Sequence, residues 1–301
     1  MKTKTLLLLF AIAMFTSCSG TSQESLDEGD ANNNDKAEVV VTFPGITFSQ
    51  EDIPILKATT ASDFVSRIVL KVFDSNNQEV KLVEQYKGDE GVDFGTIKFK
   101  LPFGTYTFVA VAHKSVSGEM GFASITSSTE ATIPGTTLPI SYSNSQTVEV
   151  KNGDALPVSM ELKCNNAIFT LKSSETAIPA EVSSIKVTLN SDKEAPTSLA
   201  FNPTGHVTDA LYKYVRDSKI LSYDASINTD NFMFLPTLEE TKIKVKVETF
   251  NSSSEILSSY VINDVPMKVN RKTIATGNIF SADITTTFTF LPLDEAKEIT
   301  F

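Results

Sequence analysis

The stretch Thr241-Lys242-Ile243-Lys244-Val245-Lys246-Val247 decides the fold class. Successive side chains of an extended chain point to opposite faces, so Ile243, Val245 and Val247 share one side and the three lysines the other. A strand half buried in a sandwich reads this way. The pattern recurs along the chain. Ile97, Phe99 and Leu101 alternate with Lys98 and Lys100, and Ile68, Leu70 and Val72 alternate in part with Arg67 and Lys71. Near the C-terminus Ile284, Phe288 and Phe290 interleave with Thr285, Thr287 and Thr289. Helical spacing is nearly absent. The one candidate runs from Asp209 to Ser218, where Leu211, Tyr214 and Val215 share a helical face. Many short strands with turn chemistry between them predict an all-β chain built from sandwiches.

The composition narrows the function. The chain has 301 residues with 37 Asp+Glu against 26 Lys+Arg, two His, two Cys and no Trp. A net charge of −11 argues against a nucleic-acid partner, which needs a basic face for phosphate. Two Cys make neither a disulfide framework nor a Cys-rich zinc site, and two His leave little for histidine-based catalysis. No Gly-rich phosphate loop, Gly-x-Ser-x-Gly elbow or HExxH helix is present. The expectation is a protein without catalytic activity, metal or other cofactor.

The length predicts two domains, and the chain repeats itself. Val65-Ser66-Arg67-Ile68 opens one strand and Val182-Ser183-Ser184-Ile185 another. Each is followed by an apolar run ending in Leu-Pro, at Leu101-Pro102 and Leu235-Pro236, and then by an alternating strand, Thr105–Ala112 and Thr241–Phe250. The second copy carries extra residues, and the helix candidate lies among them. A join near Leu162–Asn166 divides the folded region into residues 38–162 and 163–301. Pro102 and Gly104 make Leu101–Thr105 a competent tight turn. The strand after it is apolar on both faces, with Tyr106, Phe108 and Ala110 on one side and Val109 and Val111 on the other. Such a strand belongs in the middle of a sheet or under a covering element.

The N-terminus reads as a secretory signal over residues 1–17: Lys2 and Lys4, an uncharged run from Leu6 to Phe15, then Thr16-Ser17 before Cys18. The run is about ten residues, too short for the roughly 30 Å of bilayer hydrocarbon. Two readings of Cys18 stand: the lipidated residue of a bacterial lipobox, or an incidental cysteine after an ordinary signal. Phe15 departs from the Leu usual in a lipobox. Cleavage before Cys18 removes Lys2 and Lys4 and takes the net charge from −11 to −13. Residues 18–37 carry many acids and only one large apolar side chain, Leu26, so they read as a tether. The acids either solvate it or act as a surface-export signal.

At this point the residues resemble a family. Leu101-Pro102-Phe103-Gly104-Thr105-Tyr106 is similar to the Leu-Pro-x-Gly-x-Tyr hairpin of Bacteroidetes fimbrillins and their anchor subunits. Val158–Leu162 followed by Ala167–Leu171 resembles the segment joining their domains, and Lys272–Phe280 their C-terminal element. The resemblance implies two tandem Greek-key β-sandwiches, transthyretin-like, in a lipid-anchored, surface-exposed protein of the cell outer membrane and its fimbrium. It implies assembly with other fimbrial subunits by β-strand donation, and adhesion to a host or bacterial surface ligand. Candidate exchanging strands are the first, with Val39, Val41 and Phe43, and the last, with Ile284, Phe288 and Phe290. Stalk subunits of the family are cut after a basic residue, commonly Arg. The matching place here offers Lys57-Ala58, while Arg67 falls within a predicted strand. The chain is therefore either cut after Lys57 or kept whole as an anchor, the reading favoured here. The alternative from another class is a non-polymerising surface lipoprotein that binds glycans, with Tyr142, Tyr212, Tyr214 and Tyr223 as available stacking residues.

Other candidate sites have bland readings. His113 and His206 read as surface or turn histidines without metal partners. Asp89-Glu90-Gly91-Val92-Asp93 lacks the spacing of a calcium loop and reads as a solvated turn. Cys164 alternates with Met160 and Leu162 and reads as a small buried hydrophobe.

Overall fold

The computed structural model describes residues 35–43, 65–114, 123–135, 139–152, 155–175, 177–190, 192–219, 228–280 and 286–292. Asp35–Phe301 forms one compact unit. Its regular elements among the described residues are all strands, as the alternation predicts. The first half carries β1 (Lys36–Thr42), β2 (Arg67–Phe73), β3 (Glu79–Tyr86), β4 (Thr96–Pro102) and β5 (Gly104–His113). It continues with β6 (Ser124–Ser127), β7 (Glu130–Pro134), β8 (Ser141–Val150), β9 (Leu156–Ser159) and β10 (Lys163–Cys164). The second half carries β11 (Ala167–Ser173), β12 (Ser184–Leu189), β13 (Ser198–Asn202), β14 (Val207–Thr208) and β15 (Tyr214–Lys219). It ends with β16 (Asn228–Met233), β17 (Thr241–Phe250), β18 (Ile256–Met267), β19 (Arg271–Gly277) and β20 (Thr286–Pro292).

Local chemistry sets these elements. On β17 Ile243, Val245 and Val247 are buried while Lys242 and Lys244 are exposed, and β4 alternates the same way. The β2–β3 hairpin closes on Asp74, whose carboxylate accepts the N–H groups of Asn76 at 2.8 Å and Gln78 at 2.9 Å. These bonds, Gln78's foremost, hold the Asp74 carboxyl below the usual carboxylate range. Asn77 turns the corner at φ 60°, a value that Asn tolerates well.

The connectivity occurs twice. In the first half β4-β1-β9 form one sheet and β10-β8-β5-β2-β3 another. In the second half β16-β11-β19-β20 and β15-β12-β17-β18 repeat that order, except that β10 has no counterpart and β20 is added beyond β19. β1 and β9 pair in parallel, as do β11 and β19, and every other ladder between named strands is antiparallel. β10 still pairs with β8, so Lys163 and Cys164 extend a first-half sheet.

Two local expectations are corrected. Leu101–Tyr106 is not a hairpin, because β4 pairs with β1 whereas β5 pairs with β2 and β8. It is a corner between sheets, with Phe103 its one residue outside a strand, and the Tyr106 hydroxyl donates to the Pro102 carbonyl across it at 3.1 Å. Asp209–Ser218 forms no helix. Tyr214 is buried and Val215 exposed, the period of a strand, and β15 pairs along its length with β12. The residues that lengthen the second copy form β13 and β14 instead.

A fifth sheet, β14-β13-β7-β6, draws two strands from each half. Leu199 lies opposite Ile133 and Phe201 opposite Ala131, all four buried. At its end Gly135 lies so close to the second half that an added Cβ would sit 1.8 Å from the Pro196 carbonyl oxygen. One core, between the first-half sheets, gathers Val39, Val41, Ile68, Leu70, Val72, Phe99 and Phe108. The other fills the second half and continues under the fifth sheet onto the far face of β2 and β5, at Val69, Phe73, Val109 and Val111. β5 is thus buried on both faces, as its composition predicts.

Candidate strand-exchange site

β1 is the middle strand of its sheet. Val39 and Val41 are fully buried and Phe43 nearly so. Val39 lies opposite Phe99 on β4 and Leu156 on β9, and Val41 opposite Ile97 and Val158. The ladder runs on past the strand, where the Met160 N–H donates to the Thr42 carbonyl at 2.9 Å. Were β1 to leave, β4 and β9 would face each other across a strand-wide gap floored by Ile68, Leu70 and Phe108.

β20 stands at the opposite extreme. Among the described residues it pairs with β19 alone, with Phe288 opposite Ala275 and Phe290 opposite Thr273. β9, the counterpart of β19, has no strand on its far side among the described residues. The fold thus contains one strand enclosed on both sides and one held on a single side. Cys18, Lys57, Ala58 and Ile284 lie outside the described residues. Arg67 is 8% exposed, its guanidinium paired with Glu84 and stacked 5.3 Å from the Tyr86 ring centre. A protease does not reach such a residue without unfolding β2.

The structure also assembles a polar cluster that the residue pattern does not reveal. His206, at φ 56° in the turn between β13 and β14, donates through Nδ1 to Asn165 Oδ1 at 2.7 Å. Ser143 on β8 lies 2.7 Å from the same Asn165 oxygen and 2.9 Å from the Pro203 carbonyl. Asn166 Oδ1 accepts the Ser141 N–H at 2.9 Å, and its own carbonyl accepts the Asn270 N–H at 2.9 Å. All of these but Asn270 are buried, so the cluster locks β8, the link between halves and the β13–β14 turn together. The only advance signal is the pair Asn165-Asn166 interrupting an apolar run. Both histidines are buried; His206 lies in a turn, one of the two kinds of position expected, whereas His113 ends β5 and is neither at the surface nor in a turn. Burial holds each imidazole neutral and pushes its pKa down to about 4, helped at His206 by Lys163 and at His113 by Arg67.

The remaining candidates fall out quickly. Among the described residues no group of His, Cys, Asp or Glu could hold a metal ion. Asp89–Asp93 is a turn around Gly91 at φ 77°. Cys164 is buried, which pushes its thiol up to about 12 and leaves it inert. Tyr142, Tyr212 and Tyr214 are each at most 8% exposed, and Tyr223 lies outside the described residues. The three described tyrosines do not form an exposed stacking platform.

Comparison with known proteins agrees with this architecture. A candidate adhesin from Bacteroides ovatus matches with TM-score 0.51 and 11% identity, covering 85% of this chain and 95% of that one. The tip fimbrial protein Mfa3 from Porphyromonas gingivalis, truncated at its C-terminus, matches with TM-score 0.46 and 14% identity over 85% of this chain and 99% of its own. A fimbrial assembly protein from Parabacteroides distasonis matches with TM-score 0.44 and 15% identity over 85% and 98%. A search of curated proteins returns no match. The profile of the fimbrillin-A associated anchor proteins Mfa1 and Mfa2 spans residues 32–301, nearly all of the chain, and the protein belongs to that family.

Proposed function

We propose that this protein is a cell-surface fimbrial subunit of the anchor type, held on the outer membrane by a lipid on Cys18 and assembled with other subunits by strand exchange. The observation that carries the reading is the contrast between β1, enclosed between β4 and β9, and β20, paired on one side only. Family membership supports the fimbrial assignment. The groove beneath β1 takes apolar side chains at every second position, which Val39, Val41 and Phe43 supply. Phe288 and Phe290, with Ile284 upstream, carry the matching period on the last strand. A donor from one subunit entering the β1 position of another gains a full backbone ladder and fills the same pockets. The division at residue 162 into two Greek-key sandwiches belongs to the same reading, as does adhesion to a surface ligand.

In the anchor role the chain keeps its lipid and is not cut between Lys57 and Ala58. The decisive measurement is the N-terminus of mature protein taken from the cell surface. A lipid-blocked Cys18 is expected, and a start at Ala58 sinks the anchor role. A Cys18→Ala variant is expected to leave the membrane fraction, and its retention there would sink the lipid tether. The glycan-binding alternative loses support, since Tyr142, Tyr212 and Tyr214, three of the four tyrosines available to it, are buried. Nothing in the described residues calls for a catalytic role.

A further inference from the structure

The groove beneath β1 has an order of sizes as well as a period. Ala37, Val39, Val41 and, just beyond the strand, Phe43 face it and are buried. It therefore takes one small side chain, two branched ones of middle size and one ring, in that order. The surroundings fix those sizes. Ala37 lies opposite Leu101, Val39 opposite Phe99 and Val41 opposite Ile97, and Ile68, Leu70 and Phe108 fill the same core. On the outer side Glu38 lies opposite Lys100, and both are exposed. The same order of residues recurs near the other end of the chain. Ala37-Glu38-Val39-Val40-Val41-Thr42-Phe43 is matched without a gap by Ala282-Asp283-Ile284-Thr285-Thr286-Thr287-Phe288. The Ala, the last Thr and the Phe are identical, and the acid is kept. The three valines become Ile, Thr and Thr, all β-branched and suited to a strand.

We propose that residues 282–288 of one copy take the place of residues 37–43 in a second copy, residue for residue. The inference rests on the strand-exchange reading and adds to it the partner and the register. Ala282 replaces Ala37, Ile284 replaces Val39, Thr286 replaces Val41 and Phe288 replaces Phe43, while Asp283 comes opposite Lys100 as Glu38 does. Period alone does not choose this register. With Phe290 at the Phe43 position, Phe288 would enter the Val41 pocket and Ile284 that of Ala37, overpacking both. A slip of one residue would turn Asp283 into the groove. Reach selects a second copy. Ile279 is buried in the second-half core, and Ala282 follows only three residues later, within about 11 Å. The groove is lined wholly by the other core. Residues 286–288 must leave Gly277, Thr276 and Ala275 on β19 to be donated. Thr286 keeps the shape of Val41 but brings a hydroxyl onto an apolar floor, so β1 holds the groove more firmly and must be displaced first.

The test uses the chain from Ser19 onward, which keeps every described strand and whose one cysteine, Cys164, is buried. One form carries Lys98→Cys, opposite Val40. A second carries Thr285→Cys, the residue that replaces Val40. Residues directly opposite across antiparallel strands lie within disulfide reach. The two forms are unfolded together in urea and refolded under mild oxidation, so that β1 and residues 282–288 compete for every groove. A disulfide-linked dimer is expected on a non-reducing gel. Adding Val41→Asp to the Lys98→Cys chain handicaps the resident β1 and is expected to raise the yield at least about tenfold. Where Val41→Asp prevents folding, a synthetic peptide of residues 281–289 added during refolding is expected to restore the strand spectrum in circular dichroism. A dimer formed through Thr287→Cys in place of Thr285→Cys overturns the register, because a shift of two residues brings that position opposite Lys98. Both substitutions in one chain giving a linked monomer and no dimer overturns the second copy as partner. No dimer with Val41→Asp, together with no effect of the peptide, overturns the proposal entirely. A different subunit would then supply the donor, and the mature N-terminus and the lipid on Cys18 would still decide the proposed function.

Discussion

The two halves of this molecule lay down the same sheet and treat its outer face in opposite ways. On β5, Val109 and Val111 point away from the first-half core and are nevertheless fully buried. On the matching strand β17, Lys242, Lys244 and Lys246 point away from the core, and the first two stay in water. Strand order is shared, so backbone plan does not make the difference. The insertions do: β6 and β7 follow β5, β13 and β14 follow β12, and the two insertions pair with each other over the first sheet. Each valine they cover contributes about 2 kcal/mol of apolar burial. Two-faced burial here is a consequence of long-range pairing between insertions.

The contrast is most severely tested by charging the covered face. Val111→Lys would bury an ammonium opposite Val69 in the apolar core under the fifth sheet, and we expect a loss of at least about 4 kcal/mol or failure to fold, read by urea denaturation. Next in size is Phe201→Ala on β13, which removes a ring whose centre lies 5.1 Å from that of Phe234. A cavity there should cost about 3–5 kcal/mol. Because this core is shared, the single unfolding transition should move as a whole. A first-half transition left unmoved would mean that the fifth sheet does not couple the halves.

These effects also mark what could be read in advance. Alternation on β4 and β17 announced an all-β fold, and the two-faced apolar strand after Leu101-Pro102 announced the middle of a sheet or a cover. The cover itself was not legible, since β7 and β13 are distant in sequence and each looks like an ordinary short strand. The Leu-Pro-Phe-Gly-Thr-Tyr stretch carries turn chemistry but says nothing about which sheet receives the chain, so a corner read as a hairpin. Asp209–Ser218 offered helical spacing by coincidence, and pairing with β12 overrode it. His113 and His206 read as surface or turn residues, and their burial was not legible because it depends on what the fold brings over them. β1 and β20 were recognisable as terminal alternating strands. That one is enclosed and the other an edge is a fact of topology.

Acid acts on the covered side as well. His113 lies at the end of β5 in register with Arg67, and His206 lies in the β13–β14 turn with Lys163 nearby. Each has a folded pKa of about 4 against an ordinary 6.5, so the unfolded chain takes up protons first as the pH falls. Stability should decline from about pH 6.5 toward pH 4 and then level, by about 3 kcal/mol for each histidine, with carboxylate effects superimposed. His206→Asn should flatten that decline in urea titrations across pH. An unchanged slope would place the acid sensitivity elsewhere.

The smallest effect is expected where the halves differ most in exposure. Lys244 stands on the uncovered face of β17, flanked along the strand by Lys242 and Lys246, and its backbone carbonyl accepts the Asn190 N–H at 2.8 Å. Lys244→Val removes one like charge from a crowded row and adds a residue that favours strands, but it gains no packing partner. The two gains are small and the added apolar surface faces water, so stability should move by no more than about 0.5 kcal/mol. The same change on a covered face would carry the full burial term, about four times larger. A rise well above 0.5 kcal/mol in the urea midpoint would therefore mean that this face, too, has a cover, and the contrast between the halves would be lost.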